Sequence, residues 1–248
     1  MRMMKKVLGT VTVLALSVYL LAGCGSTAAE STTSSVASET TSAAADENAA
    51  AAAQLLNDLT GSYQELWPVI LADEYQQTWL DVCTALVGEE NAEAAFEKLS
   101  SMVTGDVYGE DAVKAYANGG GAYFCGFTNN LATLTFDGKT STISGADKDG
   151  NALFSHTYHF IGMEPVRGLY EFESDDTDSG EFTYFFLAPD TSAETYHIEF
   201  RYGSDADALS QYDAGAYAYW LASGISTDCD QSMIDNCIEL FCTENLAG

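Results

Sequence analysis

The spacing of apolar residues changes at Gly119-Gly120-Gly121, and this change limits the possible folds more than any other property of the chain. Over residues 54–118, apolar side chains recur every three to four positions, as on one face of an amphipathic helix. From residue 123 to residue 202, apolar and polar residues alternate, as in a strand with one buried face. The chain therefore predicts an α+β fold in which helices precede a sheet.

Glycines, a cap residue and a proline divide the helical region into separate helices. The predicted helices are 55–67 with a break at Gly61, 74–87, a helix that begins at Asn91 and ends before Gly105, and 110–116. Two further helices, 209–221 and 229–244, follow the sheet. We therefore place helical regions at 54–118 and 207–245.

Seven short runs after the three glycines are rich in aromatic and β-branched residues. Asp137-Gly138 and Asp149-Gly150 are typical of tight hairpins, and the acidic loop 175–180 supplies a third turn. Such short connections indicate an antiparallel meander, and six or seven strands close most simply into a small barrel at residues 122–203. The predicted strands are 123–127, 131–136, 140–143, 152–160, 168–173, 181–187 and 196–202.

The first 24 residues have the pattern of an exported lipoprotein. Three basic residues precede an apolar stretch that is too short to span a bilayer. The stretch ends in Leu21-Ala22-Gly23-Cys24, which resembles the bacterial lipobox. We predict that residues 1–23 are a signal peptide and that Cys24 carries the lipid.

Lipidation at Cys24 sets the expected location of the protein. The lipid would hold it at the cell membrane, facing outside the cytoplasm, with no other membrane attachment. Residues 24–53 are almost entirely Ser, Thr, Ala, Glu and Asp, a composition that predicts an unstructured tether. One domain is expected to follow, at residues 54–248.

The charge of the chain restricts its partners. It carries 37 acidic and 9 basic residues, a formal net charge of −28. A surface this negative repels nucleic acid and anionic lipid headgroups and attracts cations. The sequence has no Gly-x-Ser-x-Gly elbow, no HExxH motif and no recognisable triad. We therefore expect a binding protein, neither an enzyme nor a nucleic-acid-binding protein.

Two acidic segments, 147–150 and 175–180, contain the residue types of calcium-binding loops. Neither has the glutamate that an EF-hand supplies at its twelfth position. Both also fall where hairpin turns are predicted. We therefore interpret them as turns.

Five cysteines lie beyond Cys24. Because their number is odd, at least one thiol stays unpaired in a monomer. Cys229, Cys237 and Cys242 can pair with one another or with Cys83, and the sequence does not choose among these pairings. The fifth is Cys125. The absence of a Cys-x-x-Cys motif favours buried structural cysteines over a thiolate metal site.

Four segments of the chain can be compared with known families. They are LTGSYQELWP at 59–68, PVRGLYEF at 165–172, EFTYFFLAP at 181–189, and YHIEF followed by GSD within 196–205. In this order and spacing they resemble the ZinT family of exported zinc-binding proteins, and the resemblance spans about residues 55–245. It implies a small antiparallel calycin-like β-barrel with N-terminal and C-terminal helices packed around it. It also implies that the protein scavenges zinc for the solute-binding protein of a zinc ABC transporter.

Three histidines hold the zinc ion in the ZinT family, one on the strand before an Ala-Pro pair and two on the next strand. By this resemblance the three positions fall on Phe185, Thr195 and His197. Only His197 keeps the family's ligand. Zinc in proteins takes about four nitrogen, sulfur or oxygen donors, so other residues must complete the site.

Glu199 is the residue on the same strand that can contribute a donor. Thr195, His197 and Glu199 share one face of a strand, which we expect to line the barrel interior. His156 and His159 occupy opposite faces of another strand, so at most one of them can join. The sequence predicts a divalent metal ion, zinc before others, bound by His197 and Glu199. The alternative is a barrel that has lost the zinc site and binds a non-metal small ligand or a protein.

Overall fold

A computed structural model describes residues 34–188 and 194–246 of the chain. The predicted signal peptide and Cys24 lie outside these residues. The chain divides into two units, 1–39 and 40–248, and the described part of the first unit is helical. In the part of the chain that the structure describes, no helix is both long and apolar enough to cross a membrane.

Eight antiparallel strands form a closed barrel in which each strand pairs with the next and the last pairs with the first. The predicted α+β class and antiparallel calycin-like barrel are confirmed. The strands are β1 (Gly61–Glu65), β2 (Thr133–Asp137), β3 (Thr142–Ala146), β4 (Ala152–Met163), β5 (Tyr170–Ser174), β6 (Tyr184–Leu187), β7 (His197–Gly203) and β8 (Ala222–Ser226).

The two strands that close the barrel lie outside the predicted barrel region 122–203 and inside the two regions predicted to be helical, so these bounds are wrong. β1 falls inside the region 54–118, and β8 falls inside the region 207–245. Each has only five residues, and each is stabilised by its pairing with the other, as in the register of Tyr63 with Ser226. A pairing between the two ends of a domain leaves no local signal in either segment.

The residues that the structure describes form seven helices, and four of these begin and end within two residues of the predicted bounds. They are α1 (Ser34–Asp58), α2 (Leu66–Ile70), α3 (Gln76–Val87), α4 (Ala92–Val103), α5 (Glu110–Ala115), α6 (Ala206–Leu209) and α7 (Gln231–Leu246). The helix predicted over 209–221 is wrong, because α6 ends at Leu209 and turns lead from there to β8. The strand predicted over 123–127 is reduced to isolated bridges made by Phe124.

The tether prediction for residues 24–53 is wrong for residues 34–53, which belong to α1. Runs of alanine dominate its second half, and alanine has the highest helix propensity of any residue. Its last turn also buries Leu55 and Leu56 against the barrel, together with Leu59, which directly follows the helix. The resulting packing adds to the helix propensity of the alanines and stabilises α1.

The barrel interior is filled by aromatic side chains. Phe185 is fully buried, and its ring centroid lies 5.3 Å from that of Tyr202 and 5.4 Å from that of Tyr158. Trp220 adds an edge contact to Tyr202 and donates a hydrogen bond to the carbonyl of Gly126 at 2.9 Å. These rings occupy the space that a ligand takes in larger barrels.

A second apolar core lies outside the barrel wall. Helix α3 packs against both α4 and α7, and α2 and α7 contact each other as well. Trp79 is fully buried in this layer and donates a hydrogen bond to the carbonyl of Ile70. Ile225 of β8 belongs to the same core, so one side of the barrel is covered by helices. We call the four helices α2, α3, α4 and α7 the helical layer.

Candidate functional site

Strand β7 is buried on both of its faces, and its residues alternate between two surroundings. Ile198, Phe200 and Tyr202 belong to the barrel interior. His197 and Glu199 point the other way and face α2 and α7. They do share one side of the strand, but the expectation that this side lines the barrel interior is wrong. The two side chains lie under the helical layer instead.

A cavity of about 70 Å³ lies between β7 and the helical layer. His197 and Glu199 form its barrel side, and Cys237 and Glu244 of α7 contribute two more side chains of metal-ligating type. The remaining lining residues are apolar: Leu66, Trp67, Ile70, Leu240 and Phe241. The cavity is large enough for a few water molecules or a partly hydrated ion.

Cys237 and Glu244 are not among the ligands that the sequence predicts. Cys237 lies at helical spacing from apolar residues of a predicted helix, so the sequence predicts that it is buried. This pattern indicates packing and gives no sign of metal binding. Glu244 carries no signal, because it is an exposed acid among many near the end of α7. Only the docking of α7 onto β7 brings the two residues to His197.

His197 is buried, with 8% of its surface exposed, and its Nδ1 lies 2.6 Å from the hydroxyl oxygen of Thr195. Thr195 is itself held by α7, since Cys237 Sγ donates to the Thr195 carbonyl at 3.4 Å. Asn236 Nδ2 donates to the neighbouring carbonyl of Glu194 at 2.9 Å. Two hydrogen bonds therefore connect the first half of α7 to the segment that leads into β7, beside the imidazole.

The thiol of Cys237 is held in its protonated form. Burial raises the pKa of Cys237 to about 12, and the nearby Cys229 contributes in the same direction. A thiol must lose its proton to bind zinc strongly. The thiol is therefore a poor metal donor at neutral pH.

The donors have the right chemistry for zinc but are not assembled around one point. An imidazole, two carboxylates and a thiol are all zinc ligands. Among the residues that the structure describes, however, no three His, Cys, Asp or Glu side chains lie close enough together to hold a metal ion. Glu244 is exposed and unbranched, so its side chain can turn without disturbing the core.

The three positions that the ZinT resemblance assigns to histidine ligands do not form a site. Phe185 lies inside the barrel, stacked among aromatic rings, whereas Thr195 and His197 lie outside it. The barrel wall separates the first position from the other two. The family's three-histidine arrangement is therefore absent from this chain.

The other two histidines make contacts with the acidic loop that follows β5. His156 Nδ1 lies 2.8 Å from Asp176, and His159 Nδ1 lies 2.8 Å from Asp175. His159 also has Glu173 at 3.9 Å. The loop that follows β5 thus contacts the two histidines of the neighbouring strand β4, a contact that the sequence did not indicate.

The second acidic segment, 147–150, is the predicted turn between β3 and β4. Asp147 accepts hydrogen bonds from the Asn151 side chain and from the backbone N–H groups of Asn151 and Asp149. These hydrogen bonds, chiefly those of Asn151, lower the pKa of Asp147. The carboxylate therefore stabilises its own turn, as an aspartate typically does in this position.

No protein-family model matches the chain, and a search of curated proteins finds no match either. Among solved structures it is similar to a ZinT-like domain. The zinc(II)-bound ZinT-like domain of Streptococcus pneumoniae AdcA shares 14% sequence identity at a TM-score of 0.47, covering 74% of this chain and 89% of that domain. Zinc(II)-bound AdcA from the same organism shares 13% identity at a TM-score of 0.44. The match covers 75% of this chain and 35% of that protein's length.

Proposed function

We propose that this protein binds a divalent cation, zinc before others, in the cavity between β7 and α7. The observation that supports the proposal is the gathering of His197, Glu199 and Glu244 on the walls of one small cavity. Imidazole and carboxylate together favour zinc over calcium and magnesium, which prefer oxygen donors alone. Binding would draw Glu244 toward the strand, because the described donors do not yet surround a common point.

The Thr195 hydroxyl supports the role of His197 as a ligand. If Nδ1–H donates to this oxygen, the ring is fixed in the tautomer that offers Nε2 to a metal ion. Outer-shell hydrogen bonds of this kind orient most metal-binding histidines. The buried His197 ring, oriented by the Thr195 hydroxyl, is thus the feature of the cavity that most resembles a metal-binding site.

The alternative, a small ligand held inside the barrel, has less support. Buried aromatic rings occupy the barrel interior, and Phe185, Phe200 and Tyr202 are all fully buried there. A ligand would have to displace several of these rings from a packed core, at a large cost in free energy. The cavity that His197, Glu199 and Glu244 line is outside the barrel.

Zinc titration in competition with a chromophoric chelator tests the proposal. We expect one zinc ion per chain, about 100-fold weaker binding in His197→Ala, and about 10-fold weaker binding in Glu199→Gln. Even the loss of an outer-shell partner typically costs 10- to 100-fold in affinity, and these residues would touch the metal. Circular dichroism of each variant verifies that the fold is kept.

His159→Ala is the matched control, because His159 also lies beside carboxylates but is exposed on β4. We expect its zinc affinity to equal that of the wild type. Loss of binding in His159→Ala but not in His197→Ala would contradict the proposed site. Weak binding of several zinc ions, with the same affinity in every variant, would show that scattered surface carboxylates bind the metal, and would overturn the proposal.

We also propose that the chain acts outside the cytoplasm, anchored through Cys24, without catalysing a reaction. There it would scavenge zinc and transfer it to the solute-binding protein of a zinc ABC transporter, as the ZinT resemblance implies. Cys24→Ser should move the protein from the membrane fraction to a soluble fraction. Retention of that variant in the membrane would argue against the lipid anchor.

A further inference from the structure

Two cysteines from distant parts of the chain meet in the helical layer. Cys83 lies on α3 and Cys242 on α7, and both are fully buried. Their Sγ atoms are 4.0 Å apart, which is van der Waals contact between two sulfur atoms. The packing of α3 against α7 therefore selects one pair among the pairings that the sequence leaves open.

The other three described cysteines have different surroundings. Cys125 Sγ donates to the carbonyl of Tyr123, and Cys237 Sγ donates to the carbonyl of Thr195. Cys229 is partly exposed. Within residues 34–188 and 194–246, thiol-to-thiol contact is seen for Cys83 and Cys242 alone.

We propose that Cys83 and Cys242 form a disulfide when the chain folds in an oxidising compartment. The oxidant is a protein or small-molecule disulfide, which reacts by thiol–disulfide exchange. The thiolate of one cysteine attacks this oxidant and forms a mixed disulfide, releasing one thiol of the oxidant. The second cysteine then attacks the mixed disulfide, forms the Cys83–Cys242 bond and releases the other thiol. The two cysteines lose two electrons and two protons, which the oxidant gains as its two thiols.

The bond must form before α7 is docked. In the folded chain, Cys83 and Cys242 are both fully buried between α3 and α7. No oxidant can reach thiols in this position. The disulfide is therefore a structural bond made during folding.

Such a bond would fix the position of α7. This helix supplies one wall of the cavity beside His197, and a bond to α3 would hold that wall against the barrel when a ligand binds or leaves. A disulfide that closes a loop as long as 83–242 restricts the unfolded chain strongly. We expect the oxidised protein to melt about 10 °C above the reduced protein.

Peptide mapping after oxidative refolding tests the proposal. The full chain is unfolded in reductant and chelator, refolded in a glutathione redox buffer without metal, alkylated, unfolded again and cut after glutamate. Glu239 lies between Cys237 and Cys242, so this cleavage separates the two cysteines of α7. We expect peptide 75–89 to be linked to peptide 240–244, and the link to disappear on reduction.

Matched variants connect the bond to stability. Cys83→Ala and Cys242→Ala should abolish the link and the effect of reductant on the melting temperature, whereas Cys229→Ser should keep both. If a buried variant fails to fold, the wild-type map still decides the question. Links that involve Cys237 or Cys229 instead, or full alkylation of Cys83 and Cys242 after refolding, would overturn the proposal. Because metal is excluded, this result does not depend on the zinc titration.

Discussion

Arg201 holds a long connection against the outside of the barrel. It is fully buried on β7, and its guanidinium donates to the backbone carbonyls of Leu209, Gln211 and Tyr217. Its central carbon lies 4.4 Å from the ring centroid of Tyr212. One side chain thus satisfies three carbonyls of the segment that leads from α6 to β8, which explains why an arginine occupies a buried strand position.

Replacing this arginine should therefore be costly. We expect Arg201→Met to lower the free energy of unfolding by about 3 kcal/mol, because the carbonyls lose their donors in a buried place. Urea denaturation monitored by tryptophan fluorescence measures the change. Arg167→Met is the control, since Arg167 stacks on the same ring at 4.2 Å but is exposed. Equal losses in both variants would show that the ring contact, and not the carbonyls, carries the stabilisation.

At the scale of elements, the end of α1 packs against the turn between β2 and β3. Gly138 lies in that turn, and a Cβ atom added to it would come within 2.4 Å of Asn57 Cα and 2.5 Å of the Leu56 carbonyl oxygen. Its backbone N–H also donates to the Thr60 hydroxyl at 3.1 Å. The glycine is thus required by the helix that crosses it, because no room is left for a Cβ atom.

We expect Gly138→Ala to lower the free energy of unfolding by about 2 kcal/mol, the usual cost of forcing an extra carbon into packed atoms. The same denaturation assay measures it, with amide hydrogen exchange in α1 as a second readout. Gly162→Ala is the control, because its added Cβ has no neighbour nearer than 3.9 Å. Undisturbed stability in Gly138→Ala would mean that α1 does not press on this turn.

Alternation was a reliable guide to the elements between residues 131 and 203. Each run that the period predicts there overlaps a strand, because those strands have a buried face and are joined by turns with strong local preferences. The helices α3, α4 and α7 were equally predictable, since each buries one stripe of side chains in the helical layer.

At the scale of the whole molecule, the net charge and the candidate site attract cations over different distances. The net charge of −28 concentrates cations around the entire surface, and salt screens this attraction. The interaction of an ion with the buried imidazole of the cavity extends over only a few ångströms, and salt screens it much less. Specific zinc binding would therefore persist at physiological ionic strength, where diffuse binding by surface carboxylates weakens.

The candidate site was only partly predictable. The strand period placed His197 and Glu199 on one side of β7, as the structure does, but the choice of side was wrong because β7 is covered on both sides. When both faces of a strand are buried, apolar and polar alternation no longer tells the barrel interior from the helical layer. Cys237 and Glu244 reach the cavity only through the docking of α7.

The sequence by itself determined the kind of element over most of the chain, because helix and strand periods depend on neighbours a few residues apart. Tertiary structure decided the closure of the barrel by β1 and β8, the side of β7 that His197 occupies, and the contact between Cys83 and Cys242. Each of these joins residues that are far apart along the chain. Their energies arise from packing and pairing that exist only after the chain has folded, so no local pattern records them.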